Sequence, residues 1–312
     1  MAVEDVRLHP PNGVADQAAL LRSLAATRRK DLPRFEGMRA IAVVSGKGGV
    51  GKTNLSVNLA LALGELGKKT AILDADLGLA NVDILFGVVP RYNLGHVLRG
   101  ERDIDDILMP ISENVLAIPG GSGVQELADL DEQSQNAFIE KLAAMEHRAE
   151  ILLVDTGAGI GRNVLSFALA SDQTLLLTTA EPTAIRDSYG VLKSLAVASG
   201  GGVDVALVVN MVGSDEEAFG VADRVQMAAD QFLNLSIPYL GYVLWDPSVT
   251  AAVRLRRPFL LADPDGPAAR CVRVIARRLI RVDPTREDPL PTGRGFKAFL
   301  FRLARRLARK AP

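Results

Sequence analysis

Two lysines five residues apart stand in the stretch SGKGGVGKT, residues 45–53. Lys52, followed by Thr53, closes a glycine-rich run. A lysine there can reach the β and γ phosphates of a nucleotide, and the threonine hydroxyl can ligate Mg²⁺. Gly46, Gly48, Gly49, Val50 and Gly51 form the rest of the loop. The glycines let backbone N–H groups converge on phosphate oxygens without side-chain clashes. Lys47 stands before the turn, and a single triphosphate does not account for it.

A metal bound beside such phosphates needs a carboxylate near its water shell. ILLVDTGAGIG supplies Asp155 at the end of an apolar run, the usual ligand-facing edge of an open α/β sheet. ILDADLGLANVD places Asp74 at the end of another run and Asp76 just beyond it. Hydrolysis of a γ-phosphate needs a group that positions water, and Asp76 fits that role. Asp74 and Asp76 can also be read as turn or capping residues, a reading that suits Asp83 better.

These groups need a scaffold. RAIAVVS reads as a buried strand running into the loop, and TNLSVNLALALGELG as the following helix, with Gly67 at its end cap. KTAILDAD, NVLAIPG, EILLVDTG, QTLLLTTAEP, VDVALVVNM and IPYLGYVLW are further apolar runs, mostly separated by helical stretches. The alternation predicts an α/β fold, a mostly parallel sheet with helices on both faces. A last body helix is expected over 265–281.

Composition narrows the class. Apolar residues make up 48% of the 312, enough for a full core, and aromatics only 5%, little for base-stacking surfaces. The single cysteine, Cys271, excludes a disulfide framework and any multi-cysteine metal or iron–sulfur site within one chain. It suits a reducing, cytoplasmic setting. The first residues, MAVEDVRLHPPNG, lack the apolar run of a secretory signal, and no uncharged apolar stretch is long enough to span a bilayer. Residues 294–312 hold seven Lys/Arg and no acid, so an overall charge of −1 leaves −8 on the rest. An acidic body argues against non-specific nucleic-acid binding. Arg254, Arg256 and Arg257 read as a solvated helix end.

KGGVGKT with Lys47, DADLGLANVD and VDTGAGIG together resemble the MinD/ParA group of deviant Walker A ATPases, over residues 39–260. The resemblance implies a P-loop NTPase that binds ATP and Mg²⁺ and forms an ATP-held homodimer. In that group the early lysine, here Lys47, crosses the dimer interface to the partner's nucleotide, while Lys52 serves its own. The resemblance further assigns water activation to Asp76, the first switch to Asn81, and metal binding and the second switch to Asp155. It matches Asn210 to the adenine-reading position and LWDPSV, with Asp246, to an adenine-side loop. Gly157 departs from the usual Pro or Ala, and Trp245 from the usual Pro or Tyr.

Both ends carry further signals. DQAALLR (Asp16, Gln17, Ala18, Leu21 and Arg22 among its residues) reads from pattern alone as a leader helix. It is similar to the activation motif of the FlhG group of flagellar regulators, also called FleN or YlxH. That resemblance implies stimulation of an FlhF-type GTPase, with C-ring or flagellar regulator proteins as further partners. At the other end, Phe296, Phe299, Leu300, Leu303 and Leu307 form one helical stripe in a basic segment. Such a helix can lie in an anionic membrane surface; docking on the body, a calmodulin-like target or a nucleic-acid arm are the alternatives. The expected organisation is a leader and linker over 1–38, an ATPase domain over 39–281, a proline-rich tether over 282–293 and a membrane-targeting helix over 294–312. The whole would be cytoplasmic and peripherally membrane-associated when ATP-bound.

Overall fold

The computed structural model describes residues 37–76, 82–121, 126–127, 130–281 and 293–308. The leader, Asn81 and nearly all of the tether lie outside the described residues.

Eight strands form one sheet in the order β3-β4-β2-β5-β1-β6-β7-β8. They are β1 Arg39–Val44, β2 Thr70–Ala75, β3 Met109–Ser112, β4 Val115–Ile118, β5 Ile151–Thr156, β6 Gln173–Thr179, β7 Val205–Val212 and β8 Tyr239–Leu244. All pairings are parallel except β3 with β4. The apolar runs read from the sequence are the parallel strands. The short edge strand β3, with Pro110 inside it, is the addition. Apart from the half-buried Arg39 at the start of β1, the central strands are buried, as a sheet covered on both faces requires.

The larger helices are α1 Lys52–Glu65, α2 Val82–Phe86, α3 Glu132–Lys141, α4 Arg162–Ala170, α5 Pro182–Ser199, α6 Asp215–Leu233, α7 Pro247–Arg254, α8 Pro267–Arg281 and α9 Phe296–Ala308. Helix α1 ends as expected: Gly67 is left-handed (φ 76°) and Lys68 N–H bonds back to the Leu63 carbonyl. Helices α1 and α8 cover one sheet face; α4, α5, α6 and α9 cover the other. No described helix is long and apolar enough to cross a membrane.

The basic helix α9 is not presented to solvent. Phe296, Phe299, Leu300, Leu303 and Leu307 are all buried, packed on α3, α4 and the 3₁₀ turn Leu142–His147. The rings of Phe299 and Phe167 stack at 6.5 Å between centroids. Even Arg302, on the side read as polar, is only 8% exposed; it pairs with Asp172 at 3.0 Å and donates to the Ala170 carbonyl. Glu146 accepts from Lys297 N–H at the start of the helix, and Arg162 donates to the Leu307 carbonyl near its end. The stripe read as lipid-facing is therefore the inner face of a docked helix. The reason is physical: an apolar stripe suits a protein groove as well as a bilayer, and a carboxylate that neutralises Arg302 lies on the body.

Candidate nucleotide site

The phosphate loop leaves β1, at the centre of the sheet, and enters α1 at Lys52. Gly49 (φ 81°) and Gly51 (φ 87°) are left-handed, a backbone state that favours glycine. Gly51 is needed twice over, because an added Cβ would run into the Asn210 amide. Above Gly48 and Gly49 there is open space. That is the cradle in which phosphate oxygens would meet the loop's N–H groups and the N-terminus of α1.

Lys52 is only 8% exposed. Its ammonium donates to the Thr156 carbonyl and lies 3.7 Å from Asp155 Oδ1. It must swing from this position to reach phosphate. Asp155 is 1% exposed, and its Oδ1 accepts from Ser56 Oγ at 2.9 Å. Its Oδ2 is buried and accepts no hydrogen bond. Burial pushes the Asp155 carboxyl upward, against the pull of the Lys52 ammonium and the Thr53 and Ser56 hydroxyls. A buried carboxylate oxygen without a partner, beside the Thr53 hydroxyl, fits a hydrated Mg²⁺. Sequence reasoning missed Ser56, which lies one helical turn beyond Lys52 on the same face.

The β2–β5 register sets Asp74 beside Asp155 at the carboxyl edge of the sheet. The oxygens of Asp74 accept from Asp76 N–H at 3.2 Å and Val82 N–H at 3.1 Å, tying the end of β2 to the start of α2. Asp83 accepts from Ile84 N–H within α2. Asp76 projects toward the segment after β5, its Oδ1 3.6 Å from where a Cβ on Gly157 would sit. An alanine methyl would fit there in ordinary contact, so space does not demand the glycine. Gly159 N–H bonds the Ser45 carbonyl at 2.8 Å, tying the segment after β5 to the glycine-rich loop.

Lys47 points elsewhere. Its ammonium bonds Glu181, and Thr183 Oγ1 at 3.1 Å, and its side chain is 40% exposed. The hydrogen bond from Lys47 holds the Glu181 carboxyl below its usual range. Lys47, Gly48, Gly49, Glu181 and Met211 are among the walls of an open hollow of about 420 Å³ beside the loop. Neither Glu181 nor Thr183 is marked by any motif.

A second hollow, of about 510 Å³, adjoins the start of α1. Gly51, Asn54, Asn210, Met211, Trp245 and Thr250 are among its walls. Asn210 donates its Nδ2 to the Val50 carbonyl at 2.7 Å, which leaves its Oδ1 as an acceptor. Asp246 reaches this region but is engaged by backbone: Oδ1 accepts from Ser248 N–H at 2.9 Å and Oδ2 from Ala268 N–H at 3.2 Å. It caps α7 and ties it to α8, and so shapes the hollow.

The family model ParA, described as NUBPL iron-transfer P-loop NTPase, matches residues 37–280. Cys271 is a free, half-buried thiol. The antiactivator FleN of Pseudomonas aeruginosa is 36% identical over 250 residues, covering 80% of this chain and 89% of FleN. The flagellum site-determining protein YlxH of Helicobacter pylori is 34% identical over 269 residues, covering 86% and 90%. Among solved structures, the cell division ATPase MinD of Pyrococcus furiosus superposes with a TM-score of 0.62 at 26% identity, covering 78% of this chain and 98% of that one. MinD of Pyrococcus horikoshii, complexed with Mg-ADP, gives a TM-score of 0.62 at 26% identity, covering 78% and 96%. The loop that cradles phosphate, the buried carboxylate beside it and the order of the strands agree with these matches, and the chain belongs to the ParA/MinD family of P-loop NTPases.

Proposed function

We propose that this protein is an ATP-hydrolysing dimerisation switch that regulates flagellar number and placement. The observation that carries the switch is the position of Lys47. It is part of the phosphate loop, yet its side chain is 40% exposed and its ammonium is held by Glu181. A second cation held at the exposed rim, and not buried beside the sheet as Lys52 is, can meet the phosphates of a facing subunit. In a dry interface such a contact is a strong, charge-assisted one.

Within one subunit, Lys52 leaves the Thr156 carbonyl for the β and γ phosphates. Thr53 and Asp155 hold Mg²⁺, which when bound neutralises phosphate charge. Asp76, beside the second switch, orients the attacking water. Adenine suits the second hollow: Asn210 Oδ1 can accept from an exocyclic amino group, whereas guanine presents an oxygen there.

Asp76→Ala is expected to bind ATP, hydrolyse it poorly and sediment as a dimer. Lys47→Ala is expected to bind ATP and remain a monomer. Analytical ultracentrifugation with MgATP checks the pair, and finding both variants in one oligomeric state would sink the trans-lysine role.

YlxH, by name a flagellum site-determining protein, and the antiactivator FleN support the flagellar assignment. So does the leader motif DQAALLR, which lies outside the described residues. A peptide of residues 1–35 is expected to stimulate an FlhF-type GTPase. Gln17→Ala is expected to abolish that stimulation and leave the protein's own ATPase unchanged; loss of both would mean that the leader packs on the ATPase body. A MinD-like role in division-site selection is the second reading, supported by the structural likeness to MinD. A leader peptide with no effect on the GTPase would favour it.

Membrane association belongs to the same proposal in a conditional form. Helix α9 would have to leave its groove to meet lipid. Arg162, which holds the Leu307 carbonyl, is the first residue of α4, directly after the second switch. The nucleotide site and the docked helix thus share one element. Release would free the basic helix, and pairing two of them in a dimer would strengthen a weak anchor.

A further inference from the structure

We propose that Trp245 closes the base hollow, stacking its indole on the purine of the bound nucleotide. The inference rests on the nucleotide reading above and adds a contact that the phosphate loop cannot supply.

The position comes from the strand ends. Trp245 follows Leu244, the last residue of β8, and lines the same hollow as Gly51 and Asn54. Phosphates held over Gly48 and Gly49 therefore place a base within its reach. The backbone around it is fixed. Trp245 N–H bonds the Val212 carbonyl at 2.8 Å, and the next residue, Asp246, is held at both oxygens. The indole is not fixed: it is 65% exposed and makes no ring contact or side-chain hydrogen bond among the described residues. A large apolar ring held at a rigid backbone point, beside a largely apolar hollow, gains by covering a flat ligand.

Another wall of the hollow is already set. Met211 is left-handed (φ 59°), an uncommon state for a side chain of this size, where the β7–β8 register is irregular. The bulge turns Asn210 inward to Val50 and leaves Met211 with its methyl group against Gly51. Met211 thereby forms one wall, and Trp245 supplies the closure. Stacking on an aromatic ring tolerates any base, so Trp245 should raise affinity while Asn210 sets selectivity.

Trp245 is the protein's only tryptophan, so its emission reports this position alone. The full chain is titrated with MgATP and, separately, with inorganic tripolyphosphate, which has no base; calorimetry measures both affinities. MgATP is expected to shift the emission saturably and tripolyphosphate to leave it unchanged. Trp245→Ala should weaken MgATP about tenfold, the scale of one lost base stack, and leave tripolyphosphate affinity as it was. Trp245→Phe should restore MgATP to within about twofold of wild type, because the stacking face is kept. Emission unmoved at calorimetric saturation, or wild-type MgATP affinity in Trp245→Ala, overturns the stacking role and leaves the phosphate site standing. Equal weakening of both ligands also overturns it, assigning Trp245 to the shape of the loop. Absence of any MgATP binding by the wild-type chain would overturn the nucleotide reading as well.

Discussion

Lys52→Ala is expected to weaken MgATP binding by roughly 30-fold to a few thousand-fold, measured by calorimetry. The range follows from the ~2–5 kcal/mol lost when one partner of a buried charge contact is truncated, at about 1.4 kcal/mol per tenfold. The same change acts on the empty protein. Lys52 is the cation beside Asp155, whose carboxyl burial already pushes upward. Without it the carboxyl would rise further and hold its proton to higher pH. For a carboxyl raised on folding, the associated stability is full below the unfolded carboxylate value and is lost as pH rises through the folded one. The variant should therefore melt closer to wild type in mild acid than at neutral pH. Lys52→Ala with Asp155→Asn removes the stranded charge and should recover thermal stability at neutral pH without recovering nucleotide affinity. That separation distinguishes a phosphate ligand from a purely structural cation. Wild-type MgATP affinity in Lys52→Ala would refute the phosphate-loop assignment.

What the sequence made legible is what local chemistry fixes. The loop, its two lysines and Asp155 can be read because strand, turn and helix follow one another within a few residues. Asp76 was legible for the same reason. Glu181 and Ser56 were not, since their roles depend on chain segments that meet only in the folded sheet. Asp246 carried a readable signal that pointed elsewhere: Asp followed by Pro at the start of a helix marks an N-cap, and capping is the role it has. Strand β3 is short, half-exposed and interrupted by Pro110, so it lacks the apolar run that betrayed the other strands. The tail is the instructive case. Its amphipathic pattern fixes that one face is buried without fixing the medium. The deciding residue, Asp172, is 130 positions away from Arg302.

Replacing Phe299 and Leu303 with Glu is therefore expected to destabilise the whole body, which a test aimed only at lipid binding would misread. Both side chains are fully buried between α9 and the body. Each loses about 1.5–3 kcal/mol of apolar burial. Each introduced carboxylate, if the helix stayed docked, would add several kcal/mol for an unpaired buried charge. The sum rivals the ~5–15 kcal/mol that holds a typical domain together. The helix must then leave its groove, exposing Phe167 and its neighbours, or the body must unfold. At about 2–4 °C per kcal/mol for a domain of this size, the melting midpoint should fall by more than about 10 °C. A midpoint unchanged within about 2 °C would mean that the helix is already free in solution and that docking is not its resting state. The lipid question needs a position outside the packing. Arg305 is exposed on α9, so Arg305→Glu should leave the midpoint near that of wild type. A basic residue near an anionic surface contributes ~1 kcal/mol, and reversing it removes roughly twice that. Flotation with anionic liposomes in MgATP should weaken about 30-fold if the released helix is the anchor, and more so in low salt, where exposed charges are least screened. Flotation unaltered by the reversal would leave α9 as a structural helix of the body, with any membrane contact made elsewhere.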